Sequence, residues 1–240
     1  MPDTPRQIFV VRHGQASARS HDYDVLSPLG VTQAARLGER FAKSGVRFDA
    51  VFCGPRRRHR DTARHLVDAA RAAGVALPDA IELPGSDELP LGGILALWLP
   101  RFVDTDPVAR AIAEGRFDYT DDEIRALLGR AMTAWAVGEV ASPSLPSFAM
   151  FVARIADSLA HLRAHAATTL LVTSAGPMAA TLHLCGHHAA PTPAATMALT
   201  VAVENCAVSR VVLLSDDEVC LVVADALDVS HLADVERSLM

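Results

Sequence analysis

An apolar run, Ile8 to Val11, passes directly into Arg12-His13-Gly14-Gln15-Ala16-Ser17. Such a run reads as a buried strand (Gln7 to Val11) that ends in a polar loop. In an open α/β sheet, ligands bind at the carboxyl ends of the strands. A guanidinium, an imidazole and a flexible backbone converging there suit a phosphoryl group, with His13 as its acceptor. The next two helices and the strand between them set the fold class. Pro28-Leu29-Gly30 leads into an amphipathic helix through Ala34, Leu37 and Phe41, expected to end near Ser44-Gly45. Phe48 to Cys53 reads as a second strand, and a helix from about Arg57 to Ala73 is closed by Gly74. Strand, helix, strand, helix with short connections predicts a three-layer α/β/α protein with a mostly parallel central sheet.

Strand signals disappear from about Leu89 to Ala166. Ile94 to Glu114, Asp121 to Glu139 and Ser147 to His165 read as helices, the second opened by the acidic Thr120-Asp121-Asp122-Glu123. Residues 89–146 are read as a helical insertion over one edge of the sheet, within a single domain spanning 1–240, because the strand pattern then resumes. Thr169 to Thr173 is a strand and Gly176 to Cys185 a helix. Two or three closing strands are expected within Met197 to Ala224, with Asp216-Asp217 as a hairpin turn.

The net charge of −6 gives no basis for a nucleic-acid partner, and Arg56, Arg57, Arg58 and Arg60 make only a local basic knot. Cys53, Cys185, Cys206 and Cys220 are widely spaced and read as reduced thiols, three of them in core positions. The N-terminus lacks a charged-then-apolar pattern, and no apolar run approaches the ~20 residues that span a bilayer. A cytoplasmic protein with no membrane partner is expected. His183, His187 and His188 read as a solvated helix end, and His59 and His65 as surface residues. No metal site is expected.

Four further segments come after the first motif in order: Leu26-Ser27-Pro28-Leu29-Gly30-Val31-Thr32-Gln33-Ala34; Gly54-Pro55-Arg56-Arg57-Arg58-His59-Arg60-Asp61-Thr62-Ala63; Asp87-Glu88 after Leu83-Pro84; and Val203-Glu204-Asn205-Cys206-Ala207-Val208 with Asp228-Val229-Ser230-His231-Leu232. The second is similar to a Ser-Pro-x-x-Arg-x-x-x-Thr-Ala signature. Together, over about residues 7 to 232 apart from the insertion, they resemble the histidine phosphatase superfamily, the group containing the phosphoglycerate mutases. The resemblance implies a phosphate-binding role for Arg58 and an acidic catalytic role for Glu88. It also implies a histidine facing the nucleophile at the end of the strand after the insertion. In Leu170-Leu171-Val172-Thr173-Ser174-Ala175-Gly176-Pro177, Ser174 stands in that place.

The residues themselves support this chemistry. A neutral imidazole is a competent nucleophile, and a phosphohistidine on His13 divides one hard hydrolysis into two easier steps. Arg12 and Arg58 suit the phosphoryl oxygens because a planar guanidinium binds two at once. Glu88 suits protonation of the leaving oxygen. No cofactor enters this scheme. Ser174 brings one neutral hydrogen bond and no charge, and losing a strong transition-state donor costs roughly 10²–10³ in rate. The expectation is a phosphomonoester hydrolase, slowed at Ser174, acting on a small-molecule or protein phosphomonoester. The alternative is a catalytically weak phospho-ligand binding or regulatory protein. A mutase is the poorer fit, since no sequence feature secures retention of a phosphorylated enzyme. His13 and Arg58 are expected to end adjacent strands, and Ser174→His to raise activity.

Overall fold

Arg12, His13 and the residues around them owe their position to a six-stranded sheet. The computed structural model describes residues 6–17, 24–213 and 221–239. Within them lie β1 (Gln7–Arg12), β2 (Ala50–Cys53), β3 (Ala80–Glu82), β4 (Thr168–Thr173), β5 (Val208–Leu213) and β6 (Leu221–Asp228). Their order is β3-β2-β4-β1-β5-β6, parallel from β3 to β1 and antiparallel from β1 through β5 to β6. Successive side chains of β1 point to opposite faces, and both faces are covered, which is why Ile8 to Val11 is apolar without alternation. Phe9 and Val11 join Leu37, Phe41, Leu66 and Val67 on one face. Ile8 and Val10 join Phe151, Ile155, Leu159 and Met178 on the other.

The first face is built by α1 (Pro28–Ser44) and α2 (Arg57–Ala72). Ser27 caps α1 through an Oγ that accepts the Gly30 amide at 3.1 Å, and Gly45 ends it at φ 75°. Both ends follow the expectation. The other face carries α6 (Phe148–His165) and α7 (Ala175–Leu184). Between β3 and α6 stand α3 (Leu91–Trp98), α4 (Pro107–Ala113) and α5 (Asp121–Ala136), the last opened by a capping box of Thr120 and Glu123. Trp98, Ile124, Leu127 and Trp135 from these helices join the same cluster as Ile8 and Val10.

Two expectations need correction. Ile94 to Glu114 is not one helix. It breaks at a 3-10 turn containing Pro100 and restarts at Asp106-Pro107, where Asp106 accepts the Val108 and Ala109 amides. A proline inside a helix removes a donor and crowds the preceding turn, whereas at the first helical position it is tolerated. Met197 to Ala202 is not strand but the end of α8 (Pro193–Ala202), capped by Thr192 with Pro193 following. The Asp216-Asp217 turn lies outside the described residues. Cys53 and Cys206 are buried free thiols, and burial pushes them up to about 11 and about 12; Cys185 is half-buried and Cys220 lies outside the described residues. Among the described residues no helix is long and apolar enough to cross a membrane.

The helices α1 and α2 meet at Gly38, where a Cβ would lie 2.2 Å from the Leu66 carbonyl oxygen and 3.0 Å from Ala69 Cβ. Gly38→Ala is therefore expected to force the helices apart and cost about 1–3 kcal/mol. For a chain of this size, that lowers Tm by roughly 5 °C in thermal unfolding. An unchanged Tm would show that the two helices slide without cost.

Candidate active site

Because β2, β4 and β1 are neighbours, Gly54, Ser174 and His13 leave the sheet at one rim. The His13 amide donates to the Thr173 carbonyl at 2.7 Å, and the Gly54 amide to the Val172 carbonyl at 2.9 Å. The strands that carry His13 and Arg58 are not adjacent, as the sequence suggests, but separated by β4. The first turn of α2 closes that gap, bringing Arg58 and His59 back over the end of β4.

His13 is 3% exposed. Its Nδ1 lies 2.7 Å from the Gly14 carbonyl oxygen, so Nδ1 carries the proton and Nε2 the lone pair. Arg58 Nε donates to that lone pair at 3.0 Å. Burial, then the charges of Arg58 and Arg12 and the neighbouring His59, hold the imidazole well below the ordinary histidine pKa; the Gly14 carbonyl opposes them. His13 is thus neutral, with the lone pair of Nε2 facing a guanidinium.

Arg58, 5% exposed, spreads its fork over several partners, three of them His13, Asp24 and Ser174. Besides His13, Nη1 meets Asp24 Oδ1 at 2.7 Å and Nη2 donates to Ser174 Oγ at 3.4 Å. Arg12 is buried beside them and donates to the Val203 carbonyl. Ser174 is fully buried at the N-cap of α7, yet its side chain makes no capping bond. Glu88 is half-buried at the same helix start: a Cβ on Gly176 would lie 2.2 Å from Glu88 Oε1. The Glu88 loop is clamped from α6, where Arg154 donates to the carbonyls of Gly85, Asp87 and Glu88. Asp87 is engaged elsewhere, in a two-point pair with Arg56.

His13, Arg58 and Ser174 are therefore in direct contact, Arg12 stands close by, and Glu88 borders them at α7. His59 is the principal correction. Read as a surface residue, it is fully buried, with Nε2 2.6 Å from Ser174 Oγ and its ring centroid 5.6 Å from that of His13. Helix periodicity would have found it, since His59, Thr62 and Ala63 share the buried face of α2. Asp24 had no local signal. His183 Nδ1 is turned to the Ala190 carbonyl, and among the described residues no group of three or more His, Cys, Asp or Glu is placed to hold a metal.

The loop under His13 is held by the other motif residues. The Gly14 amide donates to Thr62 Oγ1 at 3.0 Å, and the Gln15 amide to Gln33 Oε1 at 2.8 Å. Asn205 Nδ2 donates to the His13 carbonyl at 3.1 Å. Gly14 and Gly30 touch so closely that a Cβ on Gly14 would lie 2.4 Å from the Gly30 carbonyl oxygen.

His13, His59 and His231 are held neutral in the folded protein. His13 and His59 lie well below the ordinary value through burial first, and burial brings His231 to about 4. Unfolded, each takes up a proton near pH 6.5. Their contribution is complete above that pH and is lost as the pH falls from 6.5 toward the folded values. Chemical denaturation between pH 7.5 and 5 is expected to show stability nearly level down to about pH 6.5 and then falling with a slope that approaches about 1.4 kcal/mol per pH unit for each such histidine. A flat profile would mean that these rings accept protons in place.

Residues 8–85 match the model of the histidine phosphatase superfamily (branch 1). A stretch of 67 residues is 39% identical to the mitochondrial serine/threonine-protein phosphatase Pgam5 of Caenorhabditis elegans, covering 26% of this chain and only 23% of that protein's length. A phosphoglycerate mutase from Bacillus anthracis superposes on 95% of this chain and 96% of its own, with TM-score 0.61 and 15% identity. A mycobacterial glucosyl-3-phosphoglycerate phosphatase, solved with inorganic phosphate, superposes on 95% of this chain and 100% of its own, with TM-score 0.61 and 19% identity. Residues 8–85 thus match the histidine phosphatase superfamily (branch 1), and over its length the chain has the fold of the phosphoglycerate mutase on which it superposes.

Proposed function

We propose that this protein is a phosphomonoester hydrolase that works through a phosphohistidine on His13. The observation that carries the reading is a buried neutral imidazole whose Nδ1 is engaged by Gly14 and whose Nε2 lone pair faces Arg58. In the first step Nε2 attacks phosphorus and the ester P–O bond breaks, its electron pair leaving with the alcohol oxygen. Glu88 supplies the proton that this oxygen needs. In the second step water attacks phosphorus, the P–N bond breaks, and its electron pair returns to Nε2 while Glu88 recovers a proton from the water. Arg58 turns from Nε2 to the phosphoryl oxygens as the P–N bond forms. With Arg12 it offsets charge among buried side chains, where such charges act most strongly. Ser174 Oγ and the first amides of α7 complete the oxyanion side.

The neighbours agree in substrate chemistry. One was solved with inorganic phosphate, and another, an Entamoeba histolytica phosphoserine phosphatase mutant, with phosphoserine. A small phosphorylated acid is the substrate class to try first, and a phosphoprotein the second. The contrasting reading, a phospho-ligand binder, is favoured by one observation: Asp24 already neutralises part of the Arg58 charge that the reaction needs.

Turnover of an aryl phosphate separates the two readings. His13→Ala is expected to bring turnover to background and Arg58→Ala to reduce it roughly 10²–10³-fold. The trapped phosphoenzyme should be acid-labile and base-stable, and a chelator should leave the rate unchanged. Turnover that survives His13→Ala would remove the phosphohistidine route. Tight phosphate binding by a wild-type protein without turnover would favour the binder.

A further inference from the structure

The end of β4 carries a serine, yet an imidazole occupies the space beside it, delivered from α2. Three side chains fit one another there. A Cβ on Gly54 would lie 2.4 Å from His59 Nδ1 and 3.0 Å from its Cε1, so the absent side chain at 54 admits the ring. Ser174 is small enough for Nε2 to approach its Oγ at 2.6 Å. Its Oγ, placed at a helix N-cap where serine ordinarily bonds to its own helix, is used on His59 and Arg58 instead. The Nδ1 side faces the Gly54 backbone without a hydrogen bond of normal geometry, so the ring's one short polar contact is with Ser174.

We propose that His59 is a positioning residue of the phosphoryl pocket, acting through Ser174. Its Nε2–H and Arg58 Nη2–H donate to the two lone pairs of Ser174 Oγ, leaving the hydroxyl proton to point at a phosphoryl oxygen. A serine hydroxyl has one donor and two acceptor sites, so this arrangement satisfies it completely. A chain of oriented donors also polarises its last member, which strengthens the bond to a developing oxyanion. The proposal rests on the hydrolase reading above. It reverses one expectation: an imidazole at 174 would compete with His59 for the same space, so Ser174→His alone is expected to lower activity.

The test compares His59→Leu, which fills the volume without a donor, with His59→Gln, whose amide places a donor near the Nε2 position. Ser174→Ala and the double variant His59→Leu/Ser174→Ala complete the set. Aryl phosphate turnover is expected to fall in kcat about 10²-fold for His59→Leu. It should fall less than tenfold for His59→Gln, with KM within about threefold in both. The double variant should be no slower than the slower single variant, because both remove one path. Wild-type kcat in His59→Leu, equal losses in leucine and glutamine variants, or losses that multiply in the double variant would each overturn the proposal. If His59→Leu does not fold, the exchanged pair His59→Ala/Ser174→His decides. At least tenfold more turnover than His59→Ala alone supports the role, and no gain overturns it. A protein that turns nothing over would fail the hydrolase reading separately. The variants are then read by inorganic phosphate affinity, weakened about tenfold in His59→Leu but not in His59→Gln; equal affinities overturn the role.

Discussion

The contact on which this molecule depends is Arg58 Nε against His13 Nε2, a buried guanidinium donating to a buried neutral imidazole. Burying a charge costs several kcal/mol unless it is paired and hydrogen-bonded. Here the cost is offset by Asp24 on Nη1, His13 on Nε and Ser174 on Nη2. The same charge makes protonation of His13 unfavourable. One electrostatic fact thus keeps a nitrogen lone pair available in a site that stays positive.

Much of the surrounding structure holds that pair in register. His13 is gripped through its backbone by Thr173, Asn205 and Cys206, and the next residue by Thr62 of α2. Thr62 also donates to the Arg58 carbonyl, so one hydroxyl ties the helix turn that carries the guanidinium to the loop that carries the imidazole. Gly14 meets Gly30 where two backbones pass too closely for any side chain. The glycines, the threonine and the glutamine of the motifs are thus positional. The arginines and histidines supply the polar chemistry.

The periphery is built on a different principle. The helices between β3 and α6 close the core of one sheet face by apolar packing, with Trp98 and Trp135 as large buried anchors. Trp135 Nε1 donates to the Pro146 carbonyl at 2.8 Å, tying α5 to the linker before α6. This segment shapes the molecule without contributing to the cluster around His13.

Legible in the chain alone were the features that rest on local physics. The unbroken apolar strand, the glycine that ends α1, the acidic opening of α5 and the mostly parallel class of the sheet follow from neighbours in sequence. So did the grouping of His13, Arg12, Arg58, Ser174 and Glu88, through motif order. Tertiary structure decided what depends on which strands lie side by side. Inserting β4 between β1 and β2 put Ser174 between His13 and Gly54, and that turned His59 from an apparent surface residue into a buried partner of Ser174. Asp24 met Arg58 in the same way, across 34 residues of chain. Local pattern specifies which face of a helix is apolar, but a contact between distant polar side chains is set by strand order and helix placement. That is why the strands and caps could be read from the sequence while the second imidazole of the site could not.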